Sequence, residues 1–293
     1  MLDGDSDGVL AWGDCDDNDA SLGALSADGD CDGVLTADDC DDTNGLVSEE
    51  TGSTSACAAS SCLDILNSGA STGSGAYYLK AEDGGTYQSY CEMTIDGGGW
   101  SLALKAWNGD TKHFYNSESH SRFEDSSTIA PSFLNLDPGD HKSLAYTSVE
   151  GEQLLAIDLN DHAHYVYADV SNGEQTLLEH ILDAQDGRWE GGANGCGIML
   201  DNLFLSQGSS TVIGSIPVEH FGLMCTDDEQ SNGWSNHSDD SVYLGFLPRA
   251  AHGDQTRSHH SGIGKWANDG GDDVYESSNQ EYSSSSGIAI LIR

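Results

Sequence analysis

From residue 61 onward, short runs in which apolar or aromatic residues alternate with polar ones are separated by clusters of Gly, Ser, Asn and Asp. A period of two over five to eight residues is typical of β-strands with one buried face. The runs that predict strands are Ala76–Ala81, Tyr87–Met93, Trp100–Ala106, Gln153–Leu159, Tyr165–Val170, Val242–Leu247 and Ile288–Ile292. The pattern therefore predicts a strand- and loop-rich domain.

Only one stretch has the spacing of a helix with an apolar face. Between Gln175 and Asp186, leucine and isoleucine side chains recur at positions 177, 178, 181 and 182, which is a helical interval. We expect one or two helices in all, so the predicted fold class is α+β.

Residues 1–50 show neither period and contain an internal repeat instead. Residues 3–19 (DGDSDGVLAWGDCDDND) and 28–44 (DGDCDGVLTADDCDDTN) superimpose at an offset of 25. A repeat this close indicates that one structural unit was duplicated. The segment has too few apolar residues for burial to offset the entropy of ordering it, so its stability must come from another source.

Each copy has the pattern D-x-D-x-D-G-x5-D, which is the spacing of a calcium loop with Asp in place of Glu at the twelfth position. Calcium takes six to eight oxygen ligands, and carboxylates at alternate residues let a tight loop wrap round the ion. The predicted ligands are the side chains of Asp3, Asp5, Asp7 and Asp14 with the carbonyl of Val9, and then Asp28, Asp30, Asp32 and Asp39 with Val34. Leu10 stands where such loops bury an apolar side chain, as does Leu35. An acidic disordered tail is the alternative, but it leaves the recurrence of Gly and Leu unexplained.

The Asp-Cys-Asp-Asp that follows each loop (14–17 and 39–42) resembles thrombospondin type-3 repeats and related Asp- and Cys-rich repeats of secreted bacterial proteins. In that family the chain wraps around a row of calcium ions, and disulfides tie neighbouring turns together. The resemblance therefore implies an irregular calcium-wrapped segment. It implies that further carboxylates share in binding: Asp16, Asp17, Asp19, Asp41 and Asp42. Cys31 has no counterpart in the first copy, where Ser6 stands, so Cys15–Cys31 and Cys40–Cys57 are candidate bridges.

Fifty acidic residues against ten basic ones give a formal net charge of −40. Ten Lys and Arg cannot supply the basic face that nucleic acid or an anionic membrane surface requires, and no apolar run is long enough for membrane insertion. Residues 1–50 hold fourteen Asp and two Glu without Lys or Arg, so −16 lies there and −24 in the remainder. Bound calcium would explain the patterned charge, and an acidic surface suited to a saline environment would explain the scattered charge.

The eight cysteines are spread through the chain without any C-x-x-C pair, and most lie far from the histidines. This distribution favours disulfides in an oxidising compartment over zinc sites. We therefore expect a secreted protein or one on the extracellular surface. The chain begins Met1-Leu2 with no signal peptide, so an export signal would have been removed or would lie on sequence beyond it. Composition predicts three parts: calcium-binding repeats at 1–47, a small polar linker at 48–60, and a strand-rich domain at 61–293.

Four motifs at the start of this last part resemble the beginning of fibrinogen-related domains: SCLDI (61–65), GAYYL (75–79), YQSYCEMT (87–94) and DGGGWSL (96–102). The resemblance implies a Cys62–Cys91 disulfide, a β-hairpin and a core position for Trp100. The end of the chain, YSSS (282–285) followed by IAILIR (288–293), is similar to the final strand of the intelectin branch. Cys196 and Cys225 would then form a bridge in the divergent region.

This family resemblance implies binding, usually of carbohydrate or glycosylated surfaces and often through calcium. Intelectin-type domains hold a calcium whose open positions accept vicinal sugar hydroxyls beside aromatic walls. The segment TRSHH (256–260) resembles a Thr-x-x-His-His ligand segment. The implied residues are Asp272 and Asp273 for the metal, and His259, His260, Trp266, Tyr275, Glu276 and Tyr282 for the ligand. The alternatives are a solvated loop and plain surface charge, since the spacing departs from that of the family.

The sequence thus predicts a calcium-dependent, lectin-like binding module whose cofactor is Ca²⁺ and whose partner is carbohydrate or a glycosylated surface. The alternative is a structural subunit of an extracellular appendage or surface layer, in which the domain serves self-association and calcium stiffens the joints. No H-E-x-x-H motif or phosphate loop occurs, so we expect no enzyme, and the acidic charge argues against a nucleic-acid partner.

Overall fold

The computed structural model describes residues 3–37, 39–43, 45, 50–107, 126–130, 134–169, 173–182 and 287–293, together with the backbone of short strands between 203 and 276. Strands dominate the chain after the repeats. The first eight are β1 Gly75–Lys80, β2 Thr86–Glu92, β3 Trp100–Trp107, β4 His141–Lys142, β5 Glu150–Gly151, β6 Gln153–Asp158, β7 Tyr165–Asp169 and β8 Gln175–Thr176. The others are β9 Leu203–Leu205, β10 Gln207–Gly208, β11 Val212–Ile213, β12 Ile216–Pro217, β13 His220–Thr226, β14 Ser241–Leu247, β15 Ser261–Ile263, β16 Val274–Glu276 and β17 Gly287–Ile292.

The main sheet has eight strands in the order β1-β2-β3-β17-β6-β7-β10, with β4 paired to β3 outside this path. The last strand of the chain therefore lies in the middle of the sheet, antiparallel to both β3 and β6. A second sheet has the order β16-β15-β14-β13-β9, and two small sheets join β11 to β12 and β5 to β8. Each of the seven predicted strands is present, with ends displaced by no more than one residue, which confirms the strand-rich fold.

The apolar run of β17 is buried on both faces of the main sheet. Ile288, Ile290 and Ile292 belong to one hydrophobic cluster, whereas Ala289 and Leu291 belong to a second one. Successive side chains of a strand point to opposite faces, so the strand contributes to both cores at once. A continuous apolar run is what such a doubly covered strand requires.

Helices are short in the described part of the chain. They are α1 Cys62–Asn67, α2 Ala145–Ser148 and α3 at 177–182. The first was not predicted, and it is held by its N-cap: the Ser61 hydroxyl accepts a hydrogen bond from the Asp64 N–H at 3.1 Å. Such a cap satisfies one of the N–H groups that a helix leaves unpaired at its start. None of the described helices is long and apolar enough to cross a bilayer.

The helix predicted at 175–186 begins two residues late. Gln175 and Thr176 pair with β5 as strand β8, so the helix starts at residue 177. Thr176 ends the strand and caps the helix, since its hydroxyl accepts from the N–H of Glu179 at 3.2 Å. Residues 183–186 lie outside the described residues.

Disulfides tie the repeats to each other and to the sheet. The pairs are Cys15–Cys31, Cys40–Cys57 and Cys62–Cys91. The prediction of disulfide bonds is thereby confirmed for the described cysteines, while the side chains of Cys196 and Cys225 lie outside the described residues.

The segment interpreted as a linker packs, from residue 50 onward, along the edge strand β1. The N–H of Tyr78 donates to the carbonyl of Gly52 at 2.8 Å, and the N–H of Lys80 donates to that of Ala59 at 2.8 Å. Cys57 and Ala59 are fully buried. The segment thus covers the unpaired edge of the sheet and fixes the point from which the repeats extend.

The loop before β3 runs through four consecutive residues with positive φ: Asp96 (47°), Gly97 (85°), Gly98 (78°) and Gly99 (81°). A Cβ at Gly98 would lie 2.2 Å from the carbonyl oxygen of Met93. Left-handed conformations favour glycine, and this approach leaves no room for a side chain. The backbone conformation of this loop therefore explains the three consecutive glycines of the motif.

The guanidinium of Arg293, immediately after β17, closes this loop. Its Nη1 donates to the carbonyl oxygens of Asp96 at 2.8 Å and Gly98 at 2.7 Å, and its Nε donates to Gln153 Oε1 at 2.7 Å. Its Cζ lies 3.9 Å from the centroid of the Trp100 ring. One planar, always-charged fork thus joins the loop, β6 and the buried indole.

A second buried charge, Glu92, ends β2. Its Oε1 accepts hydrogen bonds from Ser74 Oγ at 2.8 Å and from the N–H of Thr94 at 2.8 Å, and its Oε2 accepts from the hydroxyl of Tyr90 at 2.9 Å. Burial alone would raise the pKa of Glu92, but these donors favour the ionised form more strongly and lower the pKa below its usual range.

We predict that Arg293→Lys lowers the free energy of unfolding by about 1–2 kcal/mol and Arg293→Ala by about 2–4 kcal/mol, because lysine keeps the charge but not the fork that serves two carbonyls. Urea denaturation followed by tryptophan fluorescence measures this. As a control, Lys80→Ala breaks only an exposed ion pair with Glu50 and should cost less than about 1 kcal/mol. Equal costs for Arg293→Ala and Lys80→Ala would contradict the proposed role of the fork.

We predict a pH-dependent cost for Glu92→Gln. A carboxylate whose folded pKa is lowered contributes stability above its unfolded pKa of about 4.3, and this contribution is lost as pH falls through the folded value. The variant should therefore be less stable than the wild type by about 1–3 kcal/mol at pH 7, with a difference that shrinks below the unfolded pKa. Urea midpoints measured across this range test the prediction, with exposed Glu82→Gln as the control; a difference that stays constant with pH would refute it.

Candidate metal centre

In each repeat three carboxylates converge on one point. One group consists of Asp3, Asp5 and Asp7, and the other of Asp28, Asp30 and Asp32. Within each group, one carboxylate oxygen from each residue lies within 4.8 Å of the other two. Along the first loop burial alternates, so that the aspartates are half-buried and the residues between them are exposed. The loop therefore turns its charged side chains inward.

Several of these inward oxygens are buried without a hydrogen-bond partner. In the described residues of the repeats they are Asp3 Oδ1, Asp5 Oδ2, Asp14 Oδ2, Asp30 Oδ2 and Asp39 Oδ2. Asp14, at the twelfth position of the first loop, is only 8% exposed. A buried carboxylate oxygen that is left unpaired is costly. A hard cation with oxygen ligands fits such a set, and the residues present thus match the ion that the loop spacing predicts.

The other oxygen of these carboxylates holds the loop in shape. Asp5 Oδ1 accepts from the N–H of Asp7 at 3.2 Å, and Asp7 Oδ1 accepts from the N–H of Val9 at 2.7 Å. The corresponding bonds in the second copy measure 3.3 and 2.8 Å. In such turns the Asp side chain accepts a hydrogen bond from the N–H two residues on, so the loop keeps its shape without a helix or a strand.

The backbone bends at the same positions in both copies. Ser6 and Gly8 have φ values of 67° and 99°, and Cys31 and Gly33 have 63° and 95°. Cys31 differs from Ser6 in carrying the disulfide to Cys15, which follows the last ligand position of the first loop. The second loop is therefore covalently joined to the end of the first.

The two copies differ at their first position. Asp3 accepts one hydrogen bond, from the N–H of Gly8 at 3.2 Å. Asp28 accepts two, from the N–H groups of Cys31 and Gly33, both at 2.8 Å. The second loop is thus the more tightly bonded at this end, and Asp28 is buried.

Burial and mutual repulsion raise the pKa of one carboxyl group in each repeat. Burial, together with the charges of Asp7 and Asp5, raises the pKa of Asp14. Burial and the charge of Asp32 likewise raise the pKa of Asp30. A bound cation would reverse this penalty, since an opposite charge favours the ionised form.

The further carboxylates predicted to share in binding all accept hydrogen bonds within the repeats. Their donors are Asn18 for Asp16, the N–H of Gly4 for Asp17, Ser21 for Asp19, Thr43 for Asp41, and the N–H of Gly29 for Asp42. Their share in metal binding stays a prediction.

The expectation that Leu10 and Leu35 are buried is wrong. These side chains are 37% and 55% exposed, and Trp12 nearby is 76% exposed. Within the described residues of the repeats there is no helix to pack against the loop, so nothing covers the apolar side chain at this position.

Two glycines of the repeats have a role that the sequence analysis missed. A Cβ at Gly4 would lie 2.4 Å from the carbonyl oxygen of Asp17, and a Cβ at Gly29 would lie 2.6 Å from Asp42 Oδ2. The signal was present, because glycine occupies the second position of both copies.

Most of the predicted carbohydrate site falls outside the described residues: His259, His260, Trp266, Asp272, Asp273 and Tyr282. Tyr275 and Glu276 belong to β16, where they stand opposite Gly262 and Ser261 of β15. Ser261 follows His260 in the chain, so the register brings the neighbour of that histidine opposite Glu276.

The part of the chain that begins at residue 58, next to the edge strand β1, matches a known family. Residues 58–178 match the family described as fibrinogen beta and gamma chains, C-terminal globular domain. This segment is similar to that family, and we call it the fibrinogen-like part. It contains the Cys62–Cys91 disulfide, α1 and the loop closed by Arg293.

Two relatives align with part of the chain. Fibrinogen-like protein A of Apostichopus parvimensis is 31% identical over 102 residues, which covers 34% of this chain and 34% of that protein. Tenascin of Mus musculus is 30% identical over 105 residues, which covers 36% of this chain and 5% of that protein. The chain thus spans about a third of the length of the first of these relatives and far less of the second.

Two solved structures also align with part of the chain. The fibrinogen-like globe domain of human ANGPTL6 has 18% identity and a TM-score of 0.26, covering 36% of this chain and 45% of that one. The corresponding domain of human ANGPTL2 has 24% identity and a TM-score of 0.26, covering 38% and 49%.

We predict opposite effects of Asp14→Asn with and without calcium. Removing one of the mutually repelling charges should leave the calcium-free repeats at least as resistant to proteolysis as the wild type. Calcium affinity should fall about tenfold or more, because ligand charge sets affinity in such loops. Limited proteolysis in chelator and calorimetric titration measure the two effects, with exposed Asp83→Asn, on the hairpin between β1 and β2, as the control. Unchanged affinity would show that Asp14 is no ligand.

Proposed function

We propose that this chain is an extracellular, calcium-dependent binding module that recognises carbohydrate or a glycosylated surface, and that its N-terminal loops hold the calcium. The observation that carries the calcium part is the set of buried, unpaired carboxylate oxygens, in which Asp5 and Asp14 of the first copy recur as Asp30 and Asp39 of the second. All are hard oxygen donors, the ligand type that calcium prefers.

Calcium would supply the stability that this segment cannot obtain by burial. Its apolar side chains Leu10, Trp12 and Leu35 are exposed, and its interior is lined by like charges. An extracellular loop with four carboxylates is expected to bind with a dissociation constant of about 10 μM to 1 mM. Two loops joined by a disulfide would then act as a stiff stalk on the fibrinogen-like part.

Extracellular binding is supported by the fibrinogen-like match and by the disulfides. Fibrinogen-like domains are often involved in extracellular binding and are typically without enzymatic activity, and disulfides persist in oxidising compartments. The Cys40–Cys57 disulfide also ties the repeats covalently to the segment that leads into the fibrinogen-like part.

Carbohydrate is proposed as the ligand on the resemblance of TRSHH (256–260) to the ligand segment of intelectin-type domains. Imidazole can orient a sugar hydroxyl, carboxylates can hold a calcium that accepts vicinal hydroxyls, and aromatic faces pack on apolar sugar faces. The antiparallel pairing of β15 with β16 supports the proposal, because it places Glu276 opposite Ser261.

Self-association is the second candidate function, and the exposure of Trp12 favours it. An indole that is 76% exposed is unusual on a surface without a partner, since large apolar side chains that remain in water often mark interaction sites. A structural subunit would polymerise in calcium and give no glycan signal.

A glycan array probed with and without chelator tests the proposed function. We expect binding in millimolar calcium that is lost in chelator and in His260→Ala and Glu276→Ala, while exposed Glu82→Ala, the control, binds like the wild type. Sedimentation in calcium distinguishes the second candidate: ordered polymers without glycan binding would replace the lectin by the structural subunit. Glycan binding that survives the chelator would refute calcium dependence.

A further inference from the structure

Each repeat contains one long-range hydrogen bond that spans its loop. The N–H of Gly4 donates to Asp17 Oδ1 at 2.8 Å, and the N–H of Gly29 donates to Asp42 Oδ1 at 2.8 Å. Both bonds join residues thirteen positions apart. Because the same contact recurs at the same length in two copies, it belongs to the design of the repeat.

The contact fits only because the donor residue is glycine. A Cβ on Gly4 would lie 2.4 Å from the carbonyl oxygen of Asp17 and 2.8 Å from its Oδ2. The corresponding distances from Gly29 to Asp42 are 2.8 and 2.6 Å. The backbone at the start of each loop therefore lies directly against the aspartate beyond its end.

The position of this aspartate differs from that of the inward carboxylates. Asp14 is nearly buried and leaves Oδ2 unpaired beside Asp5 and Asp7. Asp17, like Asp14, lies outside the three-carboxylate group, but no oxygen of Asp17 is buried without a partner, and its Oδ1 accepts from a backbone N–H thirteen positions away. Asp42 Oδ1 accepts a further bond, from the Thr36 hydroxyl at 2.9 Å.

We propose that Asp17 and Asp42 are positioning residues that latch each loop shut through the N–H groups of Gly4 and Gly29, and that they act as hydrogen-bond acceptors rather than as calcium ligands. The inference rests on the proposed calcium function and deepens it. Closing the loop before the ion arrives removes part of the ordering entropy from the binding step. A carboxylate makes a strong acceptor for a backbone N–H.

Calorimetric calcium titration of the full chain tests the latch with paired variants that change both copies together. Asp17→Asn/Asp42→Asn keeps an acceptor oxygen, and affinity should stay within about threefold of the wild type, whereas Asp17→Ala/Asp42→Ala should weaken it about tenfold. Gly4→Ala/Gly29→Ala removes no side-chain ligand, yet the added Cβ should weaken binding similarly. The stoichiometry should remain unchanged in all of them.

Combining the alanine changes provides the decisive comparison. Residues that act through one contact are not additive, but the Cβ added by Gly4→Ala/Gly29→Ala also meets the carbonyl oxygens of Asp17 and Asp42, which the alanine changes keep. The combined variant should therefore bind more weakly than either pair but lose less than the sum of the two losses. Asp83→Ala removes a short-range Asp-to-backbone bond to Gly85 on the hairpin and should leave calcium affinity unchanged.

The outcomes separate the latch from the calcium function on which it rests. If the asparagine pair loses as much affinity as the alanine pair, charge is what matters and the two aspartates are ligands, which overturns the latch alone. Full affinity in the glycine-to-alanine pair also overturns the latch. Absence of any calcium binding by the wild type overturns both.

Discussion

β17 pairs with β3 on one side and with β6 on the other, and much of what is buried in the main sheet is buried against it. Its even-numbered side chains lie in one hydrophobic cluster and its odd-numbered ones in the other. Arg293, the next residue, then holds the loop of positive-φ residues against Trp100. Removing this strand would open two edges in the middle of the sheet and expose both clusters, so the other elements depend on a pairing that spans almost the whole domain.

The repeats are ordered by a different balance of forces. The aspartates at the loop positions face inward and Leu10, Trp12 and Leu35 face the solvent, so apolar burial contributes little to the cohesion of the repeats. Backbone hydrogen bonds to carboxylates and two disulfides hold the shape instead. The result is a segment whose fold concentrates negative charge, as the proposed calcium function requires.

The strands and the repeats were predictable because each depends on a local pattern. Alternation defined β1 and β3, and a short apolar run defined β17, each to within one residue, and the offset of 25 located both loops. α1 was missed because six residues are too few for a helical period; its stability comes from the Ser61 cap and from burial of Cys62 and Ile65. The latching glycines were missed because their function depends on contacts thirteen residues away. The place of β17 between β3 and β6 is likewise a property of tertiary pairing that no local pattern encodes.

The three disulfides join cysteines that are consecutive along the described chain: 15 with 31, 40 with 57, and 62 with 91. None of these three bridges encloses or crosses another. In a chain that enters an oxidising compartment from its N-terminus, each cysteine meets its native partner before the next pair emerges, so oxidation in order of appearance produces the correct set without slow reshuffling. Both disulfides of the repeats can form before the central strand β17 has arrived. A wrong pairing would require a cysteine to bypass the neighbouring partner that is already present.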